Sequence, residues 1–98
     1  MNVICEMQVT NYFKLSTGQI ALVGNINPNI DQLLTECQAH LYIRNKKIRS
    51  INIIGEERFS QVNEQIRKGH RAVRTNDDIY HDLILADGAE IKLVFYTT

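Results

Sequence analysis

The sequence of 98 residues is dominated by short apolar runs, rich in β-branched residues and separated by turn residues at fairly even intervals. Such runs are typical of strands, and their regular spacing is typical of small all-β folds. In the first run every second residue from Val3 to Val9 is apolar, which predicts a strand with one mostly buried face. We therefore expect a mainly β fold, a small antiparallel β-barrel or sandwich with one short helix, in which residues 1–98 form a single domain.

The first predicted hairpin has its turn at Ser16-Thr17-Gly18. Apolar runs 12–15 and 19–26 flank this turn, and glycine adopts a positive φ at little steric cost. Pro28 marks a loop over residues 25–29. The two runs are therefore expected to be adjacent antiparallel strands.

A second hairpin is expected at the C-terminus. Apolar runs 79–85 and 91–96 flank Asp87-Gly88, and Asp-Gly is a preferred turn between antiparallel strands. Just before this hairpin, residues 71–74 are expected to form a short strand or extended piece. Residues 75–78 are expected to form a turn, because aspartate and asparagine are common there.

The segment 30–43 fits two patterns. On one interpretation it is a helix, because Asn29 and Gln32 resemble a capping box and apolar residues follow a helical stripe at Ile30, Leu33, Leu34, Cys37 and Leu41. On the other it contains a strand, because alternate residues from Cys37 to Ile43 are apolar. A helix leaves Ile43 without a role, so we expect a turn or helical turn to Leu34 and then a strand. A polar turn at 44–47 and a β-branched strand at 48–54 complete this hairpin.

The one helix is predicted at about 56–68. Phe59, Val62 and Ile66 recur at helical spacing, and Gly69 follows where a C-terminal cap is expected. The β-branched content of this segment is low, unlike that of the rest of the chain.

Composition excludes several classes of protein. Hydrophobic residues make up 44% and charged residues 22% of the chain, which is ordinary for a globular domain and argues against disorder. No run approaches the roughly 18 apolar residues of a membrane span, and the N-terminal residues do not resemble a signal peptide. Cys5 and Cys37 have no metal-ligand spacing and make no disulfide scaffold. We expect a cytoplasmic setting, with no membrane and no small-molecule cofactor or metal.

No residue cluster predicts catalysis. Cys37 and His40 are three residues apart, and on a strand their side chains face opposite sides, which removes a nucleophile–base pair. His81 and Asp82 are neighbours on an expected strand and cannot pair for the same reason. The sequence therefore predicts a protein that is not an enzyme.

Charge is unevenly distributed, although the net charge is zero. Residues 44–74 carry nine basic and three acidic residues, whereas residues 75–98 carry one basic and five acidic residues. One interpretation is that folding pairs the two segments as ordinary surface ion pairs, which contribute little. The other is that the basic segment binds a partner, since arginine suits bidentate contact with carboxylate or phosphate.

The basic segment is the candidate surface for an acidic protein partner, with RNA as the alternative. Against RNA, no aromatic residue is interleaved among the basic residues, and the pI of about 6.8 is below the values typical of nucleic-acid domains. Tyrosine is a common anchor in protein interfaces. The candidate partner-binding residues are Lys46, Lys47, Arg49, Arg67, Lys68, Arg71 and Arg74, with Tyr42 and Tyr80 as aromatic anchors.

Residues 13–26, with the sequence Phe-Lys-Leu-Ser-Thr-Gly-Gln-Ile-Ala-Leu-Val-Gly-Asn-Ile, resemble the opening hairpin of the β-barrel second domain of translation GTPases. The shared features are a Phe-x-hydrophobic strand, a glycine turn at Gly18 and a second strand that ends at a glycine, Gly24. The resemblance implies a barrel that contacts RNA and protein, usually attached to a GTPase domain. Because the chain has no G-x-x-x-x-G-K-[ST] loop, no nucleotide-binding role is implied.

These observations together predict a small non-enzymatic protein-binding module. One class with this profile is the immunity or antitoxin protein that blocks a secreted toxin. The alternative is an RNA- or translation-associated β-barrel module.

Overall fold

A computed structural model describes residues 2–30, 34–56 and 70–97 of the chain. Within these ranges the elements are β1 (Asn2–Lys14), β2 (Ile20–Asn27), β3 (Cys37–Ile43), β4 (Lys46–Glu56), β5 (His70–Thr75), α1 (Tyr80–Leu85) and β6 (Ile91–Thr97). The strands pair antiparallel and close into a barrel in the order β1-β2-β5-β4-β3-β6. The predicted mainly β fold is confirmed, as a barrel rather than a sandwich, and the helix of the described residues is α1 rather than the one predicted at about 56–68.

Alternation of apolar residues along the strands fills the barrel interior. Cys5 and Met7 of β1 are buried, whereas Glu6 and Gln8 between them are exposed. The buried side chains of all six strands and α1 form one contiguous core, which includes Leu22, Leu41, Ile51, Ile53, Val73, Leu83, Leu93 and Phe95. A single core is the property of a single domain.

The strand β1 is longer than predicted, because the runs 3–9 and 12–15 merge into it. It pairs with β2 on one side and with β6 on the other. The first ladder shifts register between Val9 and Asn11, and the second shifts between Val3 and Cys5. Such bulges bend and twist a strand, which is what closure of a small barrel requires.

Both turns predicted before residue 50 are present. In the first, Gly18 has a φ of 90° and its N–H donates to the carbonyl of Leu15 at 2.9 Å. The second turn, between β3 and β4, is shorter than predicted, because β4 begins at Lys46. Its two residues, Arg44 and Asn45, have φ values of 53° and 65°. Two consecutive positive φ angles are the mark of a type I′ hairpin turn.

The predicted C-terminal hairpin is wrong in its first arm, where Tyr80–Leu85 form α1. Ile79, Leu83 and Ala86 fall on one side of the helix and are buried, whereas the intervening Ile84 is exposed. Through these buried residues α1 packs against the barrel core. The second arm, β6, pairs with β1 and β3 instead. In the described part of the chain no helix has the length and apolar composition to cross a membrane.

The remaining predictions have mixed outcomes. A strand, not a helix, follows Leu34, and it begins at Cys37. The loop at Pro28 begins later than predicted, because β2 extends to Asn27. The predicted strand at 71–74 lies within β5, and the turn after it forms as the N–H of Asp77 donates to Oγ1 of Thr75. Of the predicted helix at 56–68, the first residue is the last residue of β4, and residues 57–68 lie outside the described ranges.

Candidate protein-binding surface

The structure divides the basic residues that were predicted to bind a partner. Lys46, Lys47 and Arg49 are exposed at the start of β4, where Lys47 lies opposite Tyr42 and Arg49 opposite Leu41 in the β3 ladder. Arg71 and Arg74 lie on β5, and Arg67 and Lys68 fall outside the described residues. Arg74 is half-buried and its Nη1 donates to Oε1 of Gln19 at 3.3 Å. The predicted cluster after the helix is therefore not a single exposed surface in the described part of the barrel.

Arg71 lies inside the protein, with 2% of its surface exposed. Its Nε donates to Oε2 of Glu56 at 2.7 Å, and its Nη2 donates to Oε1 of the same carboxylate at 3.2 Å. Its Nη1 donates to Oδ1 of Asn29 and to the carbonyl of Ile30. This buried bidentate ion pair holds Arg71 inside the protein, so Arg71 is not part of the predicted binding surface.

Four cations remain together on the hairpin between β3 and β4, and we call Arg44, Lys46, Lys47 and Arg49 the basic hairpin. All four are exposed. The ion pairs of the described residues are Arg71–Glu56 and Lys92–Glu6, so no described carboxylate lies within 4.0 Å of these four cations. Arg49 makes one long hydrogen bond, 3.5 Å, from Nη1 to the carbonyl of Asp78. The acidic segment that follows β5 therefore forms no ion pair with the basic hairpin among the described residues.

The first half of β4 has a neighbouring strand on only one side, among the residues that the structure describes. β3 pairs with β4 as far as Lys46, whereas β5 pairs only with Ile53, Gly55 and Glu56. We call the side of residues 46–50 that faces away from β3 the open edge. These five residues are all exposed.

Backbone polar groups point out from the open edge. The N–H of Asn52 donates to Oδ2 of Asp77 at 2.7 Å, and its carbonyl accepts from Oγ1 of Thr75 at 2.6 Å, so both groups face away from β3. Because these groups alternate between the two sides of a strand, the N–H and carbonyl of Ser50 face the same way. In the described chain no strand pairs with Ser50 on that side.

An apolar groove lies between the basic hairpin and α1, and Ile48 of the open edge is one of its lining residues. Ile43, Arg44 and Ile48 form one wall, and Asp82, Leu85 and Ala86 form the other. Its volume is about 190 Å³. Ile48 is 42% exposed and Leu85 is 68% exposed, so the groove presents apolar surface to solvent.

Aromatic side chains occupy the outer face of β3 and β6, which sequence reasoning missed. The ring of His40 stacks on that of Tyr96, with centroids 4.3 Å apart. Tyr42 has Nζ of Lys92 at 5.3 Å from its ring centroid. Lys92 is far from Tyr42 in sequence but directly opposite it in the β3–β6 ladder. Strand register brings an aromatic residue and a cation together here, and register is not visible in the sequence.

His40 is also held on this face by a polar contact. Its Nδ1 lies 3.0 Å from Oγ of Ser50 on β4. Partial burial lowers the pKa of His40, and the nearby charge of Lys47 lowers it further. The imidazole is therefore biased towards its neutral form, which can stack and accept or donate one hydrogen bond.

The second predicted aromatic anchor, Tyr80, is used inside the protein. It lies at the start of α1, half-buried, and packs edge-on against Tyr12 with ring centroids 5.9 Å apart. Nζ of Lys14 lies 5.7 Å from its ring centroid. These contacts attach α1 to β1, whereas Tyr42 remains on the outer face of the sheet.

The two thiols are poorly suited to nucleophilic chemistry. Burial raises the pKa of Cys5 to about 11, an effect that the positive charge of Arg71 partly offsets. Burial also raises the pKa of Cys37. Because the thiolate is the nucleophile, both groups are weak nucleophiles at neutral pH. Cys37 lines a polar pocket of about 320 Å³ with Glu36, Gln38, Asn52, Tyr96 and Thr97.

Across the described residues, no group of three or more histidine, cysteine, aspartate or glutamate side chains is arranged to hold a metal ion. No protein-family model matches the sequence. No curated protein matches it, and no solved structure matches it. The basic hairpin, the open edge and the groove must therefore be interpreted from their own geometry.

Proposed function

We propose that this protein is a non-enzymatic module that binds an acidic protein partner through the basic hairpin. The observation that carries the proposal is the grouping of four exposed cations on one hairpin with no described carboxylate within ion-pair distance. Like charges held close together raise the local positive potential, which attracts an acidic surface and speeds its association.

The groove favours a protein over a simple anion as the partner. Protein interfaces combine an apolar centre with a polar or charged rim, and a few buried anchors supply most of the binding energy. Ile48 and Leu85 provide exposed apolar surface, and Arg44 lies at its border. A small anion would bind to the basic side chains and make no contact with the apolar groove.

Within this proposal, the immunity or antitoxin class is the class of protein that we favour. Such proteins act by occupying a toxin's surface, so they need a binding surface and no catalytic cluster. We propose a reducing, cytoplasmic setting, since Cys5 and Cys37 are both free thiols.

The test is charge reversal against a matched control. The partner is first isolated by affinity purification in the presence of nuclease, which removes material held through nucleic acid. Lys46→Glu and Lys14→Glu each change the net charge equally at an exposed residue near a strand end. We expect Lys46→Glu to slow association by about tenfold at low salt, and Lys14→Glu to have a much smaller effect.

Salt dependence provides the second readout of the same test. Screening shortens the range of the field, so the difference between Lys46→Glu and the wild type should shrink as salt is raised. Equal association rates for the wild type and Lys46→Glu at every salt concentration would show that the basic hairpin does not bind the partner.

RNA binding is the second candidate, and the outer face of β3 and β6 is the observation that favours it. Single-stranded nucleic acid is bound by aromatic rings that stack on bases beside cations, and Tyr42 with Lys92 provides that combination. The resemblance of residues 13–26 to a barrel of translation GTPases points in the same direction.

The RNA candidate is tested with an oligouridylate and the variant Tyr42→Ala. Binding that weakens steeply with salt and is lost in Tyr42→Ala, but not in Tyr80→Ala, would support this candidate, since phosphate contacts release counterions and base stacking needs the Tyr42 ring on the outer face. Absence of oligouridylate binding at low salt would exclude it.

A further inference from the structure

We infer that the acidic partner adds an extended segment to the open edge of β4 as an additional strand and inserts one apolar side chain into the groove between Ile48 and Leu85. The inference rests on the proposed function and specifies how the partner is held. It follows from three observations on neighbouring residues: backbone groups at the edge, an apolar site beside them and the sign of the surrounding charge.

The open edge offers the backbone half of a strand ladder. The N–H and carbonyl of Ser50 face away from β3, and residues 46–50 are exposed on a strand that already pairs with β3, with Ile48 as an extra residue between the partners of Leu41 and Tyr42. An extended peptide that lies along such an edge gains main-chain hydrogen bonds without distorting the barrel. Towards the other end of β4, Asn52 already has its N–H and carbonyl bonded to Asp77 and Thr75, so the site ends there.

The groove supplies a place for one side chain of the added segment. Ile48 belongs both to the open edge and to the groove lining, so a strand on the edge runs next to a residue that lines the groove. A volume of about 190 Å³ accommodates one large aliphatic or aromatic side chain. Because side chains alternate along a strand, the residues on either side of this anchor point away from the groove.

Charge selects an acidic segment and disfavours a second copy of the chain. In a self-pair of two β4 edges, Lys46, Lys47 and Arg49 would face the same cations of the other copy, and like charges on adjacent strands are destabilising. An acidic strand converts the same contacts into attractive ones. Asp82 lies in the groove wall, so the residue that enters the groove is expected to be apolar and uncharged.

The first experiment is selection of binders by the full-length protein from a displayed library of random linear peptides. We expect a consensus in which aspartate or glutamate alternates with apolar residues, one of them large, and contains no proline. A consensus that is proline-rich, basic or without alternation would overturn the inference, as would a library that yields no binder. If sedimentation shows that the protein self-associates and that the selected peptide dissociates the assembly, the edge binds a second copy of the chain instead.

The second experiment blocks the edge without touching the β3 ladder. Ser50→Pro removes the N–H that faces the open edge, and proline is tolerated at edge positions whose N–H faces solvent. Ser50→Ala keeps the N–H and removes only the hydroxyl, so it is the matched control. We expect Ser50→Pro to weaken binding of the selected peptide at least tenfold, and Ser50→Ala to bind almost as the wild type does.

Amide hydrogen exchange keeps the inference testable even if Ser50→Pro does not fold. In the wild type, we expect the selected peptide to protect the amide of Ser50 at least tenfold, while amides of β2 are unchanged. One outcome is that Lys46→Glu weakens peptide binding, while the peptide does not protect the Ser50 amide and Ser50→Pro does not change the affinity. In that case strand addition is wrong and the proposed electrostatic binding stands. If Lys46→Glu also has no effect, the proposed function is wrong as well.

Discussion

The carboxylate of Glu56 binds the guanidinium of Arg71 at 2.7 Å inside the barrel, with 0% of the Arg71 side chain and 3% of the Glu56 side chain exposed. Oε1 of Glu56 also accepts the backbone N–H of Leu34 at 2.9 Å. Since Arg71 is on β5, Glu56 on β4 and Leu34 before β3, one ion pair fastens three parts of the chain at one end of the barrel. Stability should therefore depend on it more than on any exposed charge.

Replacement of Arg71 by methionine should lower the free energy of unfolding by about 3–5 kcal/mol, because it leaves the Glu56 carboxylate buried and unpaired. Arg49→Met removes an exposed cation and should change it by less than about 0.5 kcal/mol. Urea unfolding measures both. The double variant Arg71→Met/Glu56→Met should be more stable than the sum of its single changes predicts, and simple additivity would show that the two residues are not coupled.

Replacement of Gly24 by alanine should destabilise the barrel by about 2 kcal/mol or more, because a Cβ there would collide with the main-chain carbonyl of Gln8 on β1. Gly55→Ala is the control, since its Cβ would meet only the carbonyl of Leu34 at 3.8 Å, an ordinary contact. Thermal unfolding of the two variants compares them. Equal melting temperatures would mean that β1 and β2 do not approach closely at Gly24.

Replacement of Gly88 by valine should lower stability by about 1 kcal/mol or more, because a β-branched residue resists the φ of 82° found there. Gly88→Asn should lose less, since asparagine tolerates a positive φ better than valine does. Chemical unfolding of both variants is the measurement. A larger loss for asparagine than for valine would contradict the backbone geometry of the turn after α1.

Because of Cys5, the free energy of unfolding should fall as the pH is raised from about 9 to about 11. For one thiol the fall is at most about 1.4 kcal/mol per pH unit. The folded pKa of Cys5, about 11, lies above the ordinary value of 9.0, so the unfolded chain releases the proton first and unfolding is favoured at high pH. Unfolding of the wild type and Cys5→Ala across this pH range separates the Cys5 contribution from that of Cys37. Parallel pH dependences would show that Cys5 is not perturbed by burial.

The parts of the fold that the sequence predicts correctly are those in which one local pattern has one structural outcome. Alternation of polar and apolar residues over 3–9 specifies a strand, because only a period of two buries Cys5 and Met7 while exposing Glu6. A glycine between two such runs, as at Gly18, specifies a turn. Local patterns of this kind are sufficient to predict a small antiparallel β fold.

The helix α1 could not be distinguished from a strand, because its six residues are too few to separate the two periods. Asp87-Gly88 did not resolve the ambiguity, since a glycine with positive φ serves a hairpin turn and the end of a helix equally well. The burial of Arg71 and the pairing of Tyr42 with Lys92 depend on contacts between strands far apart in sequence. The sequence analysis groups Lys46, Lys47 and Arg49 because they are close together in the chain, and the structure adds Arg44 to them on the same hairpin. The open edge depends on strand order, which the sequence does not show.

We expect closure of the barrel to be a late event in folding, because β1 pairs with β6 from Asn2 opposite Thr97 to Val9 opposite Ile91. Contacts of such high sequence separation slow folding, since a long loop must be closed before they form. Until residues 91–97 have left the ribosome, β1 and β3 each lack their shared neighbour β6. The apolar side chains of Met7 and Leu41, which are buried in the closed barrel, are then accessible to other chains. Nascent chains stalled before residue 91 should therefore aggregate or recruit chaperones, whereas the released chain should not.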